Sequence, residues 1–125
     1  MEDMSMIKLI KNPTEIKEFG NDGKKIIEFI GKVNTQTEKL SIAKISSPEG
    51  WDEAGQTPEF DEYTVVLKGQ LRIETKDEVF NVKADQTIVI GKNTWVRYST
   101  PYKGGAEYMA VCLPAFTKDI ANRDK

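Results

Sequence analysis

The sequence contains no histidine, and that absence excludes more than any residue present. It removes the commonest transition-metal ligand, the commonest general base near neutral pH and the usual partner of a serine or cysteine nucleophile. Chemistry in this chain must run on carboxylates, tyrosine, lysine, arginine or a single thiol. Cys112 is the one cysteine, so no disulfide can form within the chain, and a reducing, cytoplasmic setting fits. No apolar run approaches the ~18 residues of a membrane span. The first residues, Met1-Glu2-Asp3-Met4, are acidic where an export signal is basic. Charge of one sign is also missing: 18 basic residues stand against 20 acidic ones without a long block of either. Phosphate tracking needs a clustered positive field, so the composition predicts no nucleic-acid partner and no membrane partner.

At 125 residues, 38% hydrophobic and 30% charged, the chain is the size of one domain and needs no staple to bury a core. We read residues 1–125 as one domain, with a barrel core at about 25–113 and a docking tail at 114–125. Asn12 to Gly20 reads as a short helix, capped by Asn12, started by Pro13 and stopped by Gly20. From Lys24 onward short apolar runs alternate with turn signals, the pattern of an all-β sandwich or barrel. Strands are expected at about Lys25–Lys32, Leu40–Ser46, Tyr63–Lys68, Gln70–Thr75, Val79–Val82, Thr87–Ile90, Val96–Ser99 and Ala106–Leu113. Gly69, between two β-rich runs, reads as the turn of a hairpin. Phe116 and Ile120 are expected to dock the tail onto the barrel.

The stretch Gly55 to Gly69, GQTPEFDEYTVVLKG, brings Glu59, Asp61 and Glu62 to the lip of an apolar strand. Glu62 and Gly69 match the glutamate and glycine of the first motif of the cupin superfamily of jelly-roll barrels. The two histidines of that motif fall on Gln56 and Pro58, or on Gly55 and Thr57. Asp85 to Val96 is similar to the second motif, with Gly91 for its proline, Asn93 for its glycine and Val96 for its histidine. The chain therefore resembles a histidine-less cupin, and the longer strings Gln56–Tyr63, Trp95–Pro101 and Cys112–Phe116 look like one bacterial branch of cupin-domain proteins without an established activity. The resemblance implies an all-β, cupin-type double-stranded β-helix with a short N-terminal helix, and a homodimer, as small cupins commonly pair through an outer sheet.

Strand alternation puts Phe60, Glu62, Thr64 and Val66 on one face, and Val96 and Tyr98 on another. The family pattern turns both faces inward, so Glu62 and Tyr98 are expected to line one cavity as the acid–base pair. Gln56, Glu59, Arg97 and Trp51 are the expected ligand contacts: Gln56 and Glu59 at the loop rim, Arg97 in support, Trp51 stacking on a ring. Arg97, Arg72 or Lys44 would neutralise Glu62, and Glu59 or Asp61 would raise its pKa by like-charge repulsion. The functional expectation is a polar small-molecule ligand, sugar-like or carboxylated, with metal-independent isomerase or epimerase chemistry and no cofactor. Two alternatives stand beside it: an enzyme with a divalent metal held by carboxylates, and a non-catalytic accessory or structural barrel. Cys112 reads as an apolar filler.

Overall fold

The computed structural model describes residues 7–17 and 23–125. Nine strands and one short helix follow one another: β1 (Thr14–Ile16), β2 (Lys25–Ile30), β3 (Ser41–Ser47), β4 (Trp51–Asp52), β5 (Asp61–Glu74), β6 (Val79–Lys83), β7 (Thr87–Ile90), β8 (Arg97–Thr100), β9 (Ala106–Leu113) and α1 (Lys118–Ala121). The strands form one antiparallel sheet in the order β1-β2-β3-β9-β5-β8-β4, with β6 and β7 each paired to β5. Curled on itself, this sheet is a cupin-type jelly-roll barrel, as the sequence reading expects.

Strand β5 joins the two sides. Its first half pairs with β7 and β9 (Glu62 opposite Ile90 and Cys112), and its second half with β6 and β8 (Ile73 opposite Phe80 and Tyr98). The expected hairpin at Gly69 is therefore a corner within one continuous strand. The register with β9 shifts between Val66 and Lys68, and Gly69 takes φ 75°. A Cβ at Gly69 would overlap the carbonyl oxygen of Gly105, so the glycine lets two backbones meet where the sheet turns.

The helix expected at Asn12–Gly20 is corrected where it falls on described residues. Thr14, Glu15 and Ile16 pair with Glu28, Ile27 and Ile26, and Asn34 Nδ2 donates to the carbonyl of Asn12 at 2.9 Å. A free strand edge on β2 offers this segment ladder hydrogen bonds, which outweigh a weak local helix preference. Residues 18–20 of that helix lie outside the described residues.

One core holds Val66, Leu71, Ile73, Val82, Val96, Tyr98 and Trp51, with Ile45 and Ile88 packed against it. A second cluster of Phe60, Cys112 and Ala121 receives Phe116 and Ile120 from the tail. Phe60 and Phe116 meet edge to face, ring centres 5.7 Å apart. Thr117 caps α1, and Asn122 ends it in the left-handed conformation. No helix among the described residues is long and apolar enough to cross a membrane.

Candidate functional site

Alternation along β5 sends Phe60, Glu62, Thr64 and Val66 inward, all buried, and leaves Tyr63 and Leu67 on the outer face. From β8 Tyr98 comes in to meet them. Its hydroxyl donates to Glu62 Oε1 at 3.1 Å, and Thr64 Oγ1 donates to Glu62 Oε2 at 3.2 Å. These partners replace the salt bridge expected from Arg97, Arg72 or Lys44. Arg97 instead reaches the carboxylates of Glu74 (3.0 Å) and Asp52 (2.9 Å), and Arg72 also lies against Glu74.

Glu62 and Tyr98 face a cavity of about 70 Å³ inside a cleft of about 680 Å³ that includes its open mouth. Ile26, Ala43, Ile45, Phe60, Ala110 and Phe116 make its walls apolar; Gln56, Lys24, Glu53 and Arg123 bring polar groups. Burial pushes the Glu62 carboxyl above its ordinary value, and the bonds from Tyr98 and Thr64 only partly offset it. The nearby Glu53 charge raises it further, while Lys24 lowers it. Burial, then the adjacent Glu62, drives the Tyr98 hydroxyl well above the usual phenol range. The same two causes raise the Cys112 thiol, which is buried and poorly suited to act as a nucleophile.

Of the other expected contacts, Gln56 lies in the cavity wall. It is 4% exposed, and its side-chain Oε1 has no hydrogen-bond partner. An unpartnered buried amide end is rare and costly, and it marks a place where a donor is wanted. Glu59, Arg97 and Trp51 do not line the cavity. Glu59 is exposed and accepts from Asn122 Nδ2 at 2.8 Å, because the tail pins the loop that carries it. Asp61, one residue out of phase with Glu62, faces outward and accepts from the backbone N–H of Lys92. Neither joins Glu62 as a second carboxylate. Trp51 is part of the hydrophobic core, with the Lys24 ammonium 4.9 Å from its ring centre. Trp95 donates to Asp124 at 2.8 Å beneath Lys76, and its ring fills the space a side chain at position 55 would need.

Sequence reasoning missed the charged rim. Lys24 Nζ lies 2.7 Å from Glu53 Oε1, with both side chains 7% exposed, and Arg123 lies 3.3 Å from the same oxygen. Lys24 directly precedes β2, Glu53 directly follows β4 and Arg123 follows α1. This triad thus joins the start of β2, the end of β4 and the tail after α1. Glu28 was missed as well: it is 2% exposed in the cavity wall, and its carboxylate accepts from the N–H groups of Val33 and Asn34. That carboxylate is satisfied by a loop. Among the described residues no three Asp, Glu, His or Cys side chains gather as a metal-binding group.

No known protein-family model matches the sequence. Among curated proteins, Endoribonuclease YbeY of Myxococcus xanthus (strain DK1622) is 36% identical over 104 residues, 83% of this chain. The chain spans 35% of that protein's length. Solved structures share the barrel at much lower identity. A variant of Streptomyces Pac13 with uridine superposes with a TM-score of 0.72 at 15% identity, covering 98% of this chain and 93% of that one. The cupin domain of Schizosaccharomyces pombe Cnp3 gives 0.65 at 9% identity over 81% of this chain and 68% of that one. A putative ethanolamine utilization protein from Salmonella typhimurium gives 0.61 at 18% over 84% and 98%.

The likeness to the endoribonuclease corrects the sequence reading on three points. The sequence points toward that protein, and away from a cupin branch without established activity; the barrel alone is cupin-like. The small-molecule isomerase or epimerase reading conflicts with the match to a protein named as an endoribonuclease. The exclusion of nucleic acid conflicts with the match as well. Net charge averages over a whole surface, so the charge count says nothing about a few groups gathered in one place.

Proposed function

We propose that this chain serves RNA processing by holding one ribonucleoside unit of an RNA strand in its barrel cavity, contributing recognition rather than bond cleavage. The observation that carries the reading is the 36% identity over 104 residues to a protein named as an endoribonuclease. The share of that protein outside the match leaves room for cleavage to reside elsewhere in it. Similar barrels that hold uridine support the choice of ligand.

The site chemistry agrees. Single-stranded RNA is recognised by unstacking a base, burying its face against apolar or aromatic side chains and hydrogen-bonding its edge. Phe60, Phe116 and the aliphatic walls offer the apolar face, and the unpartnered Gln56 amide offers an edge contact. Glu62, whose pKa burial raises, sets a polar group in the cavity beside Tyr98. Cleavage of a phosphodiester calls for a group that activates a nucleophile, commonly a histidine or a metal-bound water. The described residues bring no histidine and no metal-binding group to the cavity.

Fluorescence anisotropy with a labelled oligouridine, followed by gel analysis of the same RNA, tests this. The expected outcome is saturable binding, displaced by excess uridine, with the RNA intact. Gln56→Met should weaken binding while leaving the melting temperature unchanged or higher, since it removes an unpaired amide without changing shape. Absence of binding by both oligouridine and millimolar uridine defeats the proposal; cleavage by the isolated chain defeats its division of labour.

A further inference from the structure

We infer that the rim triad is a phosphate subsite in which the Glu53 carboxylate occupies the position of the ligand's anion. The inference rests on the nucleoside-binding reading above and adds to it that the ligand is a nucleotide, its phosphate held by Lys24 and Arg123. Both cations converge on one oxygen, Glu53 Oε1, at 2.7 and 3.3 Å. Carboxylate and phosphate oxygens accept from ammonium and guanidinium groups with the same geometry, so a site built for one accommodates the other.

All three side chains line the same cavity as Gln56 and Glu62. A ligand whose nucleoside reaches Gln56 therefore passes the triad with its phosphate. The cations are held from behind. Lys24 sits over the Trp51 ring, and the backbone of Arg123 is bridged to that of Gln56, the residue with the unpartnered amide. Glu53 lies just beyond the two-residue strand β4; its backbone N–H donates to the Tyr98 carbonyl at 3.4 Å and its carbonyl accepts from Arg97 Nε at 3.1 Å, so only its side chain has to move. Its carboxylate can leave the cations without unpairing the sheet. A phosphate entering the rim takes both cations, and Glu53 turns toward solvent.

Isothermal titration of the intact chain with uridine, uridine 5′-monophosphate, uridine 3′-monophosphate and inorganic phosphate tests the subsite. At least one monophosphate should bind about tenfold more tightly than uridine, as charge-assisted bonds add to the nucleoside contacts. Glu53→Gln should tighten the nucleotide further; Lys24→Met or Arg123→Gln should erase the advantage of the phosphate. Equal affinities for uridine and both monophosphates in the unaltered protein overturn the subsite while the nucleoside reading stands. Inorganic phosphate binding as tightly as either monophosphate also overturns it, by uncoupling the anion from the nucleoside. If no nucleoside or nucleotide binds, both readings fall.

Discussion

The two ends of the barrel interior are built from the same strand and behave as opposites. Through its second half β5 delivers Leu71 and Ile73, both with no exposed surface, to a core closed by Val82, Val96 and the Tyr98 ring. Through its first half it delivers Glu62, with Thr64 bonded to its carboxylate, to a cavity with a charged rim. One alternation pattern thus makes a tightly filled end and an open end, and only the residue types at the inward positions differ. The filled end supplies packing, and the open end carries groups whose burial costs stability unless something meets them. Tyr98 belongs to both: it packs in the core, and its hydroxyl reaches Glu62.

The sharpest way to break this contrast is to remove the corner that separates the two ends. Gly69→Val places a side chain against the Gly105 carbonyl at a positive φ and should cost about 3 kcal/mol or more, read as loss of cooperative unfolding or a large drop in denaturant midpoint. Next comes truncation at the filled end. Ile73→Ala should destabilise by about 2–5 kcal/mol in urea melts, and Ile26→Ala, in the cavity wall, by an amount at or below the bottom of that range. Equal costs would show that the cavity end is as tightly filled as the core.

Glu62→Gln sharpens the comparison through pH. A carboxyl whose folded pKa is raised binds more protons folded than unfolded, so its contribution to stability falls as pH climbs from the ordinary value of 4.5 through the folded value. The melting temperature of Glu62→Gln should match the parent near pH 4 and exceed it increasingly toward pH 8. A difference that does not change with pH would mean that Glu62 titrates like an exposed carboxyl. The smallest effect belongs to Arg97→Ala. Its partners Glu74 and Asp52 are partly exposed, and the loss should stay within about 1 kcal/mol, shrinking in high salt.

Where periodicity dominates, the sequence was a good guide. Strands Thr87–Ile90 and Ala106–Leu113 lie where their patterns put them; that Glu62 and Tyr98 face one another, 3.1 Å apart across 36 positions, followed from the family resemblance and not from alternation alone. Local signals failed where a longer-range interaction competed with them. Asn12 and Pro13 resemble a helix start, yet the following residues pair with β2. A glycine between two apolar runs signals positive φ, and hairpin turns and sheet corners both need that; the choice at Gly69 depends on Gly105, far along the chain. The rim was illegible for a related reason. Lys24, Glu53 and Arg123 sit outside the strands and helix in segments far apart in sequence, and no spacing rule connects them.

The stacking of Lys24 on Trp51 gives the molecule an optical readout of its own mouth. Trp51 is buried, so the field at its indole is set chiefly by fixed protein charges, and the Lys24 ammonium 4.9 Å from its ring centre also pairs with Glu53. Any event that draws Lys24 away from the ring changes that field and moves the emission of a tryptophan that touches no ligand. Trp95, beneath Lys76 on the far side of the Gly55 loop, provides the internal reference, and Trp95→Phe isolates the reporting signal. Binding of the proposed nucleotide should therefore shift the intrinsic fluorescence of Trp51, without a label.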